Sequence, residues 1–144
     1  MMPSSSHHSQ AGAVKRMVIT NDLKAAKIAE DQVLSLIQQS GYSEESVFAV
    51  KLALEEALTN AIKHGNAGDP AKTVTIEYSI AADRVVIVVS DQGKGFIPDT
   101  VPDPTADENL ECPSGRGIML MRAYMDEVEY SPAGNTVRMI KFNG

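Results

Sequence analysis

The sequence predicts an α/β (α+β) fold, a two-layer sandwich with helices on one face of a mixed, mostly antiparallel sheet. Three observations lead there. Short β-branched runs alternate apolar and polar residues at strand period. Two runs near the N-terminus carry apolar residues at helical spacing instead. The resulting order, β-α-α-β-β-loop-α-β-β, pairs neighbouring strands as hairpins and segregates the helices to one side.

Val14–Thr20 is rich in Val, Ile and Met and reads as the first strand. Thr20 or Asn21 then offers an N-cap. Leu23, Ala26, Val33 and Ile37 follow helical spacing up to Gly41, a C-cap. Ser43 opens a second helix, with Glu44 and Glu45 in the first turn, where the helix dipole favours acids. Its apolar stripe is Val47, Val50, Leu54, Leu58 and Ala61, and Gly65, Gly68 and Pro70 end it. Thr73–Ile80 alternates strictly, and Val85–Val89 is a continuous β-branched run expected to be a buried central strand. Gln92–Ser114 has four prolines, five acidic residues and no periodicity; it reads as a lid. Gly115–Met125 returns to helix, and Val128–Tyr130 and Thr136–Phe142 are the last two strands.

At 144 residues the chain fits one domain, 13–144, behind a Ser/His-rich tail, Met1–Gly12, expected to be disordered. The formal net charge is -6 and no basic cluster exceeds two adjacent residues, so no nucleic-acid partner is expected. No membrane association is expected either, because no apolar run approaches the roughly 18 residues of a membrane span. The tail lacks a signal-peptide core, and one cysteine, Cys112, leaves neither a disulfide framework nor a cysteine zinc site. A reducing, cytoplasmic location is the simplest inference.

Chemistry concentrates in three places. Glu56, Asn60 and His64 lie four apart on the second helix, on one side and off its apolar stripe. Asp91-Gln92-Gly93-Lys94-Gly95-Phe96 ends the central strand with an acid and two glycines. That pattern lets the backbone approach a flat ligand, and its carboxylate can accept from an exocyclic amine such as adenine N6. Ser114-Gly115-Arg116-Gly117-Ile118 starts a helix with exposed N–H groups that suit phosphate, with Arg116 as a charged donor. Each motif alone has a bland reading, as a solvated face, a turn and a flexible helix start. Neither a P-loop nor a Rossmann fingerprint is present.

Together, in this order, the three resemble the ATP-binding domain shared by gyrase, heat-shock-90 proteins, sensor histidine kinases and MutL, the Bergerat or histidine-kinase-like fold. Glu56–His64 resembles its N-box, Asp91–Phe96 its first glycine box and Ser114–Arg122 its second. Thr136 matches a threonine that the family places behind the adenine-binding aspartate. Within that group the chain is most similar to the anti-sigma-factor serine kinases of stress response and sporulation. The resemblance implies ATP and Mg²⁺ as cofactors, with Glu56 as general base and Asn60 as metal ligand. Asp91 would hold adenine, Gly93 and Gly95 would shape the pocket, and Gly115–Ile118 would take the phosphates. His64 either borders the ribose or packs at the helix end. The better-known kinases carry an arginine just before the second glycine box. Here that place reads Glu111-Cys112-Pro113, and the basic residue is Arg116.

The function so implied is a Mg-ATP-dependent protein serine/threonine kinase. Its substrate would be a STAS-type anti-anti-sigma protein, a sigma factor a second partner, and the assembly a homodimer. The alternative is an ATP-binding module that sequesters a partner without phosphotransfer.

Overall fold

The structure, a computed structural model, describes residues 13–93 and 121–143. The expected tail 1–12 and all but the first two residues of the expected lid lie outside them, as do Gly95 and Ser114, Gly115, Arg116, Gly117 and Ile118 of the site.

The elements in chain order are β1 (Lys15–Thr20), α1 (Leu23–Gln39), α2 (Glu44–Thr59), a π-helical segment (Asn60–Gly65), β2 (Thr73–Ile80), β3 (Arg84–Ser90), β4 (Glu127–Tyr130) and β5 (Thr136–Phe142). The strands form one sheet in the order β1-β2-β3-β5-β4. All four described pairings are antiparallel.

Side-chain alternation puts Val74, Ile76 and Tyr78 of β2 and Val85, Ile87 and Val89 of β3 on the helix side, all buried. Against them pack Ala26, Ala29, Val33 and Ile37 of α1 and Val50, Leu54, Ala57 and Leu58 of α2. Met121, Met125 and Met139 complete the core. β3 is the middle strand, as its composition predicts. Its second face is less covered than a continuous apolar run implies, since Val86 and Val88 are only half-buried.

The helix ends follow local chemistry. Asp22, not Thr20 or Asn21, caps α1: its carboxylate accepts from Ala25 N–H at 2.8 Å. Asn21 instead turns inward, where its amide donates to Asp69 O and accepts from Asn66 Nδ2. Ser43 caps α2 by accepting from Ser46 N–H. Gly41 takes φ +90° between the two helices, where a side chain would be strained. The Tyr42 hydroxyl donates to Ala81 O at 2.7 Å and ties the α1–α2 turn to the β2–β3 hairpin. The second helix does not stay α-helical to Gly65. From Asn60 it widens into the π segment, and Asn66 N–H donates to Ala61 O, five residues back.

Candidate functional site

The site lies where the helix-side layer meets the end of β3. Glu56 stands on the last turns of α2, half-exposed, and borders a cleft of about 340 Å³ lined by Leu52, Glu55, Glu56, Thr59 and Tyr124. Asn60 begins the π segment one turn on. It is only 8% exposed, and its Nδ2 has no hydrogen-bond partner among the described residues. A buried amide donor is normally paired, so this one is available to a polar group that the described residues do not supply. His64 follows, half-buried, near the end of the segment.

The π segment delivers Gly65 to the end of β3. A Cβ added at Gly65 would overlap the Asp91 carboxylate, and one added at Gly93 would overlap Gly65 O. The helix end and the Asp91–Gly93 turn therefore meet closely, Gly65 against the Asp91 carboxylate and Gly93 against the Gly65 carbonyl, which leaves no room for a Cβ at either glycine. Asp91 N–H donates to Asn135 O at 2.9 Å, and Asp91 Oδ1 accepts from Gly93 N–H at 2.8 Å. Burial pushes the Asp91 carboxyl above its ordinary 3.8, against the opposing pull of the Gly93 N–H and Lys72. A half-buried carboxylate with one oxygen already committed is suited to accept from one exocyclic amine.

Thr136 pairs in register with Ser90, the residue before Asp91, and its hydroxyl donates to Ser90 Oγ at 3.1 Å. Both hydroxyls lie on the sheet face away from the helices, since their neighbours Val89 and Val137 are the ones buried beneath them. The contact to the Asp91 backbone comes from the main-chain carbonyl of Asn135, whose side chain instead accepts from the Ser131 hydroxyl.

Two residues that the sequence did not single out belong here. Tyr130 of β4 sits on the helix side, opposite Val137. Burial pushes its phenol far up, and the Glu56 carboxylate adds to the rise; Asp91 adds further and Arg122 opposes. Tyr130 thus stands within the field of both proposed functional carboxylates. A tyrosine in a short strand gives no signal of that kind. The second is Asn66, wholly buried and hydrogen-bonded to three segments.

Mg²⁺ takes oxygen ligands and keeps several waters, so one or two protein donors suffice. Among the described residues no group of three or more His, Cys, Asp or Glu gathers as a metal site. The Asn60 amide, buried with an unpartnered end, fits that small demand: turned about its last bond it presents Oδ1 in the same place.

The family described as the histidine kinase-like ATPase domain matches residues 19–141. A serine-protein kinase RsbW from Bacillus licheniformis is 34% identical over 116 residues, covering 74% of this chain and 71% of that protein. An RsbW from Listeria monocytogenes is 32% identical over 114 residues, covering 74% and 73%. The crystal structure of the RsbU and RsbW domains of Rv1364c from Mycobacterium tuberculosis has the same fold, with a TM-score of 0.63 at 16% identity. That likeness covers 91% of this chain and 32% of the longer one. ATP use follows from the domain. The chain belongs to the histidine kinase-like ATPase family, among the serine-protein kinases of the RsbW type.

Proposed function

We propose that the protein is a Mg-ATP-dependent anti-sigma-factor kinase that phosphorylates a serine or threonine of a STAS-type anti-anti-sigma partner. The observation that carries this reading is the placement of Glu56 beside an open cleft, one turn before the orphaned amide of Asn60. A hydroxyl entering the cleft meets the Glu56 carboxylate, which takes its proton as the oxygen attacks the γ-phosphorus. The bond from that phosphorus to the bridging oxygen breaks and ADP leaves. Asn60 would hold Mg²⁺, which neutralises phosphate charge, and Asp91 would fix the adenine. Phosphorylation adds about two negative charges to the partner's surface, enough to release it. A sigma factor as second partner, a homodimer and a cytoplasmic location belong to the same reading. No helix among the described residues is long and apolar enough to cross a membrane.

The test is transfer of label from γ-labelled ATP to a cognate STAS protein. Wild type should label the partner, and Glu56→Gln should bind ATP but not transfer. Absence of label with wild type, or undiminished transfer by Glu56→Gln, overturns it. A second reading, ATP-gated sequestration without transfer, is favoured by Glu111-Cys112-Pro113, where the better-known kinases carry an arginine. ATP-dependent capture of the partner without labelling would establish it.

A further inference from the structure

Asn66 directly follows the π segment and is 0% exposed. Both N–H groups and the oxygen of its amide are engaged. Oδ1 accepts from Gln92 N–H at 2.7 Å, and Nδ2 donates to Asn21 Oδ1 at 3.0 Å and to Thr73 O at 2.9 Å. The partners are themselves tied. Gln92 Oε1 accepts from Thr73 N–H at 2.8 Å, and Asn21 Nδ2 donates to Asp69 O at 3.0 Å. Asn66's own N–H is bound to Ala61 O, which fixes the amide to the helix end. One side chain thus joins the helix end, the end of β1, the start of β2 and the turn after β3.

The peptide it grips is the one that follows Asp91. Asp91 is then held on both sides, through its own N–H to Asn135 O and through Gln92 N–H to Asn66. Its carboxylate is turned by the Gly93 N–H bond, which the same turn supplies. The glycine contact between positions 65 and 93 lets the turn approach the helix but carries no directional bond of its own. Direction comes from Asn66.

We propose that Asn66 is a positioning residue for base recognition: it fixes the Gln92 peptide so that the Asp91 carboxylate is preset to accept the amine of adenine. This rests on the reading of Asp91 as the adenine contact. Its signature is selective. Loss of Asn66 weakens the contact that distinguishes adenine from hypoxanthine, which carries an oxygen in place of the amine, and spares the contacts to ribose and phosphate.

The experiment measures Kd for ATP and for ITP by titration calorimetry on the wild-type chain, Asn66→Ala, Asn21→Ala and Asp91→Asn. Wild type should prefer ATP, and Asp91→Asn should lose the preference. Asn66→Ala should narrow it about tenfold, the scale of one hydrogen bond to a charged group, with ITP affinity nearly unchanged. Asn21→Ala, which removes one acceptor of the Asn66 amide, should narrow it less. An unchanged ratio in Asn66→Ala overturns the proposal, as does equal weakening of both nucleotides, the mark of a merely structural role. If Asp91→Asn keeps the preference, the base contact itself is wrong; if only Asn66→Ala keeps it, the positioning role alone is wrong. Should Asn66→Ala not fold, Asn21→Ala decides by the same ratio. The Gln92 amide of the nucleotide-free wild type gives a further readout: slow hydrogen exchange is expected, and exchange at open-loop rates overturns the proposal.

Discussion

Gly65, the last residue of the π segment, lies against the Asp91 carboxylate with no room for a Cβ between them. The obstacle is a carboxylate held by its own backbone bonds, not the far end of a flexible chain. Gly65→Ala must therefore push the Asp91–Gly93 turn off the helix end. Overpacking of this kind costs about 1–3 kcal/mol of stability. ATP affinity should fall at least about tenfold in a variant that still folds, since the displaced group is the proposed base contact. Calorimetric unfolding and nucleotide titration check the two effects. Wild-type affinity in Gly65→Ala would show that the carboxylate does not contact the base.

The layered fold was legible because the hydrophobic periods changed cleanly between segments, from helical spacing at Leu23–Ile37 to strict alternation at Thr73–Ile80. The candidate site was legible as a pattern where chemistry and spacing coincide: Glu56 and Asn60 four apart on one helical run, Asp91 ahead of Gly93. The π widening from Asn60 was not, because NAIKHG satisfies an α-helical pattern equally well. In the fold it accompanies the close approach of Gly65 to Asp91 at the end of β3, which no local pattern announces. Asn66 was hidden for the same reason. An asparagine after a helix-ending glycine reads as turn chemistry, and only the fold brings Asn21, Thr73 and Gln92 to it. The α1 cap lies one or two residues later than the sequence suggests, because Thr20, Asn21 and Asp22 are all competent caps and Asn21 is engaged by Asn66 instead.

Ala67 takes φ +52°, in the left-handed region, directly after Asn66. An L residue there costs about 1–2 kcal/mol, and a β-branched one more. Ala67→Gly relieves that strain but adds backbone freedom to the unfolded chain, so its net effect should be small, between about 0 and 1 kcal/mol in favour of folding. Ala67→Val should lose more than about 1 kcal/mol. Denaturant unfolding of the pair measures both. A valine variant as stable as wild type would rule out the left-handed turn.

Asp91 supplies a pH signature for nucleotide binding. Burial raises its folded-state value above the ordinary 3.8, so the free protein takes up a proton on this carboxyl at higher pH than an exposed aspartate would. The ionised carboxylate accepts from adenine N6 more strongly than the protonated acid does, so base binding favours the ionised form. The preference for ATP over ITP should therefore shrink as pH falls from about 7 toward about 4. The ratio removes the phosphate titration common to both nucleotides. A ratio constant across that range would sink the assignment.

Glu30 of α1 is 2% exposed, yet carries a carboxyl in the helix layer. Burial pushes it from 4.5 up to about 7, and Glu55 of α2 adds to the rise by repulsion and by the hydrogen bond that the two carboxyls share. Lys27, 3.7 Å away, opposes weakly, since its closer partner is Asp31 at 3.1 Å. The folded state holds this proton more tightly than the unfolded chain does. Its contribution to stability is therefore fully present below 4.5 and lost as pH rises through about 7. The loss amounts to about 3 kcal/mol at most. Glu30→Gln keeps the shape and a donor for Glu55 without an ionisable proton. Thermal unfolding from about pH 5 to about pH 8 should show the wild type losing stability relative to Glu30→Gln, with the variant the more stable at the alkaline end. Parallel Tm curves for the two proteins would show that Glu30 ionises as an ordinary surface carboxylate and that the α1–α2 contact does not store a proton.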